Sequence, residues 1–280
     1  MLGGDQRQLY AAHEMLKNKY NAVVYGLKTD SSIQQAQSLP EAMEDAKLVI
    51  LPLPFTTDNV RLFCPLCDKD ILLTDIIENV QKDMIVAGGK MSDAFLLMLK
   101  QKGAFPFDYY KSERFAIHNA IPTAEGALAI AMNELKTTVN GAKCAILGYG
   151  RIGKILAKTL KKLDADVTVY ARKDEVLAWA EAEGCKTYKF EDLCETVSKN
   201  SVIFNTVPAL VLTREVLDNI DENAVIIDLA SSPGGVDNEY AKLIGIKVIF
   251  ALSLPGKVAP VTAGKIIADT VLSYYKGVAL

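Results

Sequence analysis

Only two histidines stand among the 280 residues, and the five cysteines are an odd number. Cys64, Cys67, Cys144, Cys185 and Cys194 do not read as a disulfide framework, and a reducing compartment suits them. Cys64-Pro-Leu-Cys67 has CxxC spacing, but no second CxxC accompanies it, and His13 and His118 lie far off in the sequence. A structural zinc takes four ligands, so no metal site is expected. No apolar run approaches about 18 residues, which leaves no candidate for a membrane-spanning helix. The N-terminus lacks an apolar signal region, and the expectation is a cytoplasmic protein. Charge of one sign is also lacking: 31 Lys and Arg face 34 Asp and Glu, for a net charge of −3. That balance is a poor basis for non-specific nucleic-acid binding.

The composition is that of a soluble globular protein, with 50% apolar and 23% charged residues. The length suggests two domains. Short β-rich apolar runs alternate with amphipathic stretches, which argues for α/β architecture with mostly parallel sheets. Strands are expected at 21–25, 48–51, 84–87 and 104–109, with helices at 6–18, near 40–45 and at 92–102. Pro122 is read as opening a long helix of small and apolar residues, capped by Thr123 and buried by its composition. A second series of strands follows at 144–147, 166–170, 201–205, 224–229 and 247–251. A final helix is expected at about 260–275. The fold class is therefore two Rossmann-like, doubly wound domains with parallel sheets, joined by long interdomain helices. The boundaries are 1–122 and 123–280, with the last helix a candidate to pack back on the first domain.

The strongest motif is Gly148-Tyr149-Gly150-Arg151-Ile152-Gly153, which follows an apolar β run and opens a helical pattern. That context is what a dinucleotide fingerprint requires. Gly148 permits the tight turn, Gly150 lets the backbone approach a pyrophosphate, and Gly153 lets the helix pack on the strand. The helix N-terminus offers N–H groups and partial positive charge to phosphates. An NAD site carries an acidic residue about 20 residues further on, against the ribose hydroxyls. Arg172 and Lys173 occupy that region instead, and two cations there suit the extra phosphate of NADP. Asp174 comes late and is read as the start of the next helix. NADP is the expected cofactor, ahead of NAD.

Two more strand ends fall at the carboxyl edge of the second sheet. Asn205-Thr206-Val-Pro208 is suited to pass along the ribose and nicotinamide side of a cofactor. Asp228-Leu-Ala-Ser231-Ser232-Pro-Gly-Gly offers hydroxyls and open amides suited to a carboxylate. The segment Pro255-Gly-Lys257 is read as a turn, with Lys257 facing an anionic substrate or solvent. Ordinary turn chemistry is the alternative for each.

Taken together, these stretches resemble one family across essentially the whole chain. Gly3-Gly4-Asp5-x-Arg7-Gln8, Ile121-Pro-Thr-Ala-Glu125-Gly126 and the glycine motif occur in that order. Asp228-Leu-Ala-Ser-x-Pro-Gly-Gly235 and Leu254-Pro-Gly-Lys-Val-Ala-Pro260-x-Thr-Ala-Gly264 follow. The sequence looks like the dipicolinate synthase A subunits of spore-forming bacteria, whose wider relatives are two-domain formate/glycerate-type dehydrogenases. The resemblance implies NADP-dependent oxidation of dihydrodipicolinate to dipicolinate during sporulation, in the mother cell. It also implies a separate B subunit as partner, and a homo-oligomer is expected. Such proteins have a strand leading into the Gly-Gly-Asp turn, whereas here only Met1-Leu2 precede it.

The substrate so implied is a ring with two carboxylates that loses a hydride and a proton. Proton handling falls to His118, placed just before the long helix, to Glu125 in its first turn or, ranked behind these two, to Asp228. Imidazole ordinarily exchanges protons near neutral pH, and a carboxylate in a first turn is also explained by the helix dipole. Arg7, Ser231, Ser232 and Lys257 are the candidates for carboxylate binding. Two other readings stand beside this one: a dehydrogenase of a small hydroxy or amino acid, and a non-catalytic nucleotide-binding regulatory subunit.

Overall fold

The structure is a computed structural model that describes residues 1–29, 32–67 and 70–278. The chain divides into two compact units, Met1–Asn119 with Pro255–Leu280, and Ala120–Leu254.

In the first unit, helix α1 (Gln6–Lys17) follows the Gly-Gly turn and is capped by Asp5, whose side chain accepts from the Arg7 N–H. Strands β1 (Val23–Val24) and β2 (Gln34–Gln35) pair in parallel. Helix α2 (Leu39–Met43), strand β3 (Leu48–Ile50), helix α3 (Leu73–Asn79), strand β4 (Ile85–Gly88), helix α4 (Asp93–Gln101) and strand β5 (Phe105–Asp108) follow. The sheet β3-β4-β5 is also parallel. Met1-Leu2 fill the sheet position where a leading strand was expected. Leu2 bridges Tyr25 in parallel and its N–H donates to Ile50 O at 3.0 Å, while Gly3 N–H donates to Tyr25 O at 2.8 Å. Two residues thus join the β1-β2 pair to β3.

Helix α5 (Glu113–Glu134) begins earlier than the sequence suggested. Ser112 caps it, with its hydroxyl accepting from Phe115 N–H and its carbonyl from Ala116 N–H. Pro122 lies inside the helix rather than opening it. A proline there removes one N–H, the one that would have met the carbonyl of His118. One lost bond is tolerated because small residues beyond it, Ala124, Ala127 and Ala131, pack into the core of the second unit.

The second unit continues with strand β6 (Lys143–Leu147), helix α6 (Arg151–Lys162), strand β7 (Asp166–Ala171), helix α7 (Asp174–Ala182) and strand β8 (Lys186–Lys189). Helix α8 (Leu193–Thr196), strand β9 (Val202–Asn205), helix α9 (Arg214–Leu217), strand β10 (Val225–Asp228), helix α10 (Asn238–Leu243) and strand β11 (Lys247–Phe250) complete it. The six strands form one parallel sheet in the order β11-β10-β9-β6-β7-β8. Alternation along each central strand serves two cores. Cys144 and Ile146 join α5 and α6 on one face, and Ala145 and Leu147 join α8, α9 and α10 on the other. A parallel sheet buried on both faces reads as a continuous apolar run, which is why these strands were visible in the sequence. β8 was not, because its Lys-Thr-Tyr-Lys is an edge strand with no buried residue.

The chain then returns to the first unit through helix α11 (Leu254–Val258) and helix α12 (Pro260–Val278). Pro255-Gly-Lys257 is therefore part of a short helix and not a turn. α12 packs on α1 through Ile267, Ala268, Val271 and Leu272 against Ala11 and Met15. Gly264 makes the approach possible, since a Cβ there would fall 2.5 Å from Arg7 O.

Candidate dinucleotide site

In the second sheet the chain runs outward from β6 through β7 to β8, then restarts on the other side with β9, β10 and β11. The switch point lies between β6 and β9, and ligands of such sheets bind outside the carboxyl ends of these strands. The glycine loop leaves β6 there, and Asn205–Pro208 leaves β9.

The three glycines have different roles. Gly148 has φ of +91°, and a Cβ would sit 2.6 Å from Thr206 Oγ1. A Cβ on Gly153 would fall 2.2 Å from Gly148 O, so α6 could not start this close to β6 with any larger residue. Gly150 has an ordinary extended conformation, φ −81° and ψ −158°, and nothing lies within 4 Å of its missing Cβ. The protein's own packing does not require glycine at that place. The open space lies at the N-cap of α6, and no side chain caps that helix. Unfilled volume beside an uncapped helix start is what a pyrophosphate requires, so these residues fit a dinucleotide.

The other residues of the motif separate into two kinds. Tyr149 turns inward: it is buried, and its Oη donates to Glu183 Oε2 at 2.8 Å. Burial and that carboxylate push the phenol well above its ordinary range. Ile152 packs against the same core. The Tyr149 side chain is therefore scaffolding, whereas Ile152 is half-buried and keeps part of its side chain at the surface. Arg151 is exposed at the head of α6.

Arg172 and Lys173 directly follow β7 and are exposed. Lys173 Nζ lies 3.6 Å from Glu175 Oε1, and Arg172 has no ion pair among the described residues. Asp174 opens α7 and is held 2.9 Å from Lys189 Nζ, which occupies the carboxylate nearest the place of an NAD-type acid.

At the end of β9, Thr206 Oγ1 donates to Leu147 O at 2.9 Å and so ties its loop to the end of β6. Pro208 is exposed. Asn205 and Asp228 are fully buried, with side chains engaged inside the protein. Ser231 and Ser232 are exposed on the loop after β10.

The first unit holds the remaining candidates. Arg7 was read as facing a ligand, yet it is 6% exposed and grips Asp5 with Nε and Nη2, the latter at 2.8 Å. Nη2 also donates to Leu53 O. Only Nη1 lacks a hydrogen bond among the described residues. The paired partner is Asp5, which the motif named without revealing its role. Gly256 lies against this guanidinium, with a Cβ there 2.9 Å from Nε, and the adjoining Lys257 is exposed. His118 and Glu125 both lie inside α5 and are exposed, so Glu125 has no first-turn role. Cys64 donates to Gly26 O at 2.9 Å, and burial, with Cys67 beside it, pushes its thiol up to about 11. Among the described residues no group of three or more His, Cys, Asp or Glu is arranged to hold a metal ion, and no helix is long and apolar enough to cross a membrane.

Fold and site together define an NAD(P)-binding oxidoreductase of the two-domain Rossmann type. Residues 119–238 match the NAD-binding domain of D-isomer-specific 2-hydroxyacid dehydrogenases, and residues 1–110 match the N-terminal domain of the dipicolinate synthase A subunit. The A subunit of dipicolinate synthase from Bacillus subtilis (strain 168) is 31% identical over 96% of this chain and 92% of its own length. The crystal structure of the corresponding A subunit from Bacillus halodurans superposes with a TM-score of 0.89 at 30% identity, over 98% of this chain and 95% of that one. A transhydrogenase from Sinorhizobium meliloti shares the fold, with a TM-score of 0.72 at 15% identity over 99% and 94% of the two chains. The chain belongs to the family of dipicolinate synthase A subunits.

Proposed function

We propose that this chain binds NADP and oxidises dihydrodipicolinate to dipicolinate, with a B subunit as partner, in the mother cell of a sporulating bacterium. A homo-oligomer is part of the same reading. The observation that carries the nucleotide assignment is the open space at Gly150, at the uncapped start of α6 and at the switch point of the sheet. Gly148–Gly153 would hold the pyrophosphate with backbone N–H groups. Arg172 and Lys173 would take the 2′-phosphate, where a guanidinium supplies paired donors. Thr206 and Pro208 would border the ribose and nicotinamide. When bound, the oxidised nicotinamide supplies the hydride acceptor.

The substrate gives up a hydride and a proton to become an aromatic pyridine, so aromaticity supplies much of the driving force. The protein's task is to orient the ring, bind its carboxylates and receive one proton. Each unit carries its own candidate anion donors: Arg7 Nη1 and Lys257 in the first, Ser231 and Ser232 in the second. His118 and Glu125 are exposed and open to exchange with water, which suits release of a proton. Titrating the purified chain with NADPH and NADH tests the cofactor assignment. Tighter binding of NADH, or of neither, would contradict it.

A further inference from the structure

Asn205 ends β9 and Asp228 ends β10, and the parallel register sets the two residues directly opposite each other. Neither is exposed at all. Asn205 Nδ2 donates to Asp228 Oδ1 at 2.9 Å. The same Oδ1 accepts from Ala230 N–H at 3.1 Å, and Oδ2 accepts from Gly235 N–H at 3.2 Å. Asn205 also closes its own loop, with Nδ2 donating to Val207 O and Oδ1 accepting from Val207 N–H, both at 3.1 Å. The carboxylate is therefore the knot of two loops, one leaving each strand.

A second seam runs beside it. Val211 and Leu212 N–H both donate to Gly235 O, and Asp237 N–H donates to Leu212 O. Gly235 is pressed into the junction, since a Cβ there would fall 2.2 Å from Asn205 Nδ2 and 2.8 Å from Val207 O. Burying a carboxylate is costly unless hydrogen bonds compensate it, and a well-packed apolar pair would fill the same place at less cost. What an apolar pair would not provide is a fixed geometry between the loops.

We infer that Asn205 and Asp228 are a positioning pair, which locks Thr206–Pro208 and Ala230–Gly235 into one rigid rim at the carboxyl edge of the sheet. Both side chains act through the loops and touch no ligand. This inference rests on the dinucleotide reading of the site. The rim lies on the β9–β10 side, where the nicotinamide half would sit, whereas Gly148–Gly153 and Arg172 serve the adenosine half.

The test compares two probes on the full chain, NADPH and adenosine 2′,5′-bisphosphate, with NADH and ADP used instead if the wild type prefers NAD. Asp228→Asn keeps the volume but turns one acceptor into a donor facing an N–H group, and Asn205→Ser is the milder variant should the first fold poorly. NADPH affinity is expected to fall roughly tenfold or more, as for loss of a charge-assisted bond, with the bisphosphate within about threefold of wild type. Steady-state turnover should lose kcat more than it raises substrate KM, because a misplaced rim disturbs orientation rather than encounter. The double variant should lose no more than the worse single one, since both act through one knot. Unchanged NADPH binding and turnover in folded variants would overturn the inference, as would equal losses for both probes. A wild-type chain that binds neither nucleotide would instead overturn the dinucleotide reading, and this inference with it.

Discussion

Gly150→Val separates folding from ligand binding more cleanly than any other single change in the site. Its backbone is extended, a conformation open to every residue, and no atom lies within 4 Å of where a Cβ would stand. A Cβ there therefore meets no clash. Valine is a poorer N-cap than glycine, at a cost of at most ~1 kcal/mol, while loss of glycine's unfolded-state freedom returns ~0.4–1 kcal/mol. The melting temperature should stay within a few degrees, on the order of 2–4 °C. Cofactor binding should behave quite differently. The methyl groups would occupy the space proposed for the pyrophosphate and displace it from the first N–H groups of α6. Losing two charge-assisted bonds at ~1.5 kcal/mol each amounts to ~3 kcal/mol, or more than a hundredfold in Kd. Thermal melting and NADPH fluorescence titration on the same preparation give both values. A folded variant whose affinity stays within about threefold of wild type would refute the argument. Gly153→Ala is the internal contrast, since its Cβ meets backbone oxygen at 2.2 Å and should lower stability as well.

Replacing Arg172 and Lys173 together by neutral residues should weaken NADPH binding by ~1.5–3 kcal/mol per lost bond and leave NADH nearly unaffected; calorimetric titration of both nucleotides reads the difference, and equal losses would exclude the phosphate role. Arg7→Ala and Ser232→Ala should each reduce dicarboxylate turnover without changing NADPH affinity. Arg7→Ala should also cost ~2 kcal/mol of stability by stranding Asp5, and Arg7→Lys should recover part of both losses, as chemical denaturation and initial rates would show. Tyr149→Phe removes the bond to Glu183 and should cost ~1 kcal/mol in denaturation with no change in cofactor Kd, because the phenol faces the core.

The parts of the fold that were legible share one physical basis. β6, β9 and β10 are buried on both faces, so each carries an apolar run with a polar residue only at one end (Lys143, Asn205 and Asp228), and the glycines after β6 stand at fingerprint spacing directly behind such a run. Features set by long-range contact were not legible. Pro122 reads locally as a helix start, and only packing of the residues after it lets α5 run through. Arg7 reads as a guanidinium open to a carboxylate, but Asp5, Gly256 of α11 and the carbonyl of Leu53 enclose it. Asn205 and Asp228 are 23 residues apart, and their pairing depends on strand register, which no local pattern encodes. Tyr149 stands inside the fingerprint and would pass for a ligand contact until Glu183 is seen beside it.

The most direct test of the proposed activity is a coupled assay on the purified chain, supplied with NADP and enzymatically generated dihydrodipicolinate, with and without the partner protein. Dipicolinate and NADPH are expected in equal amounts, with both lost in Gly150→Val. Dipicolinate formed with no reduction of NADP or NAD under either condition would contradict the proposed activity.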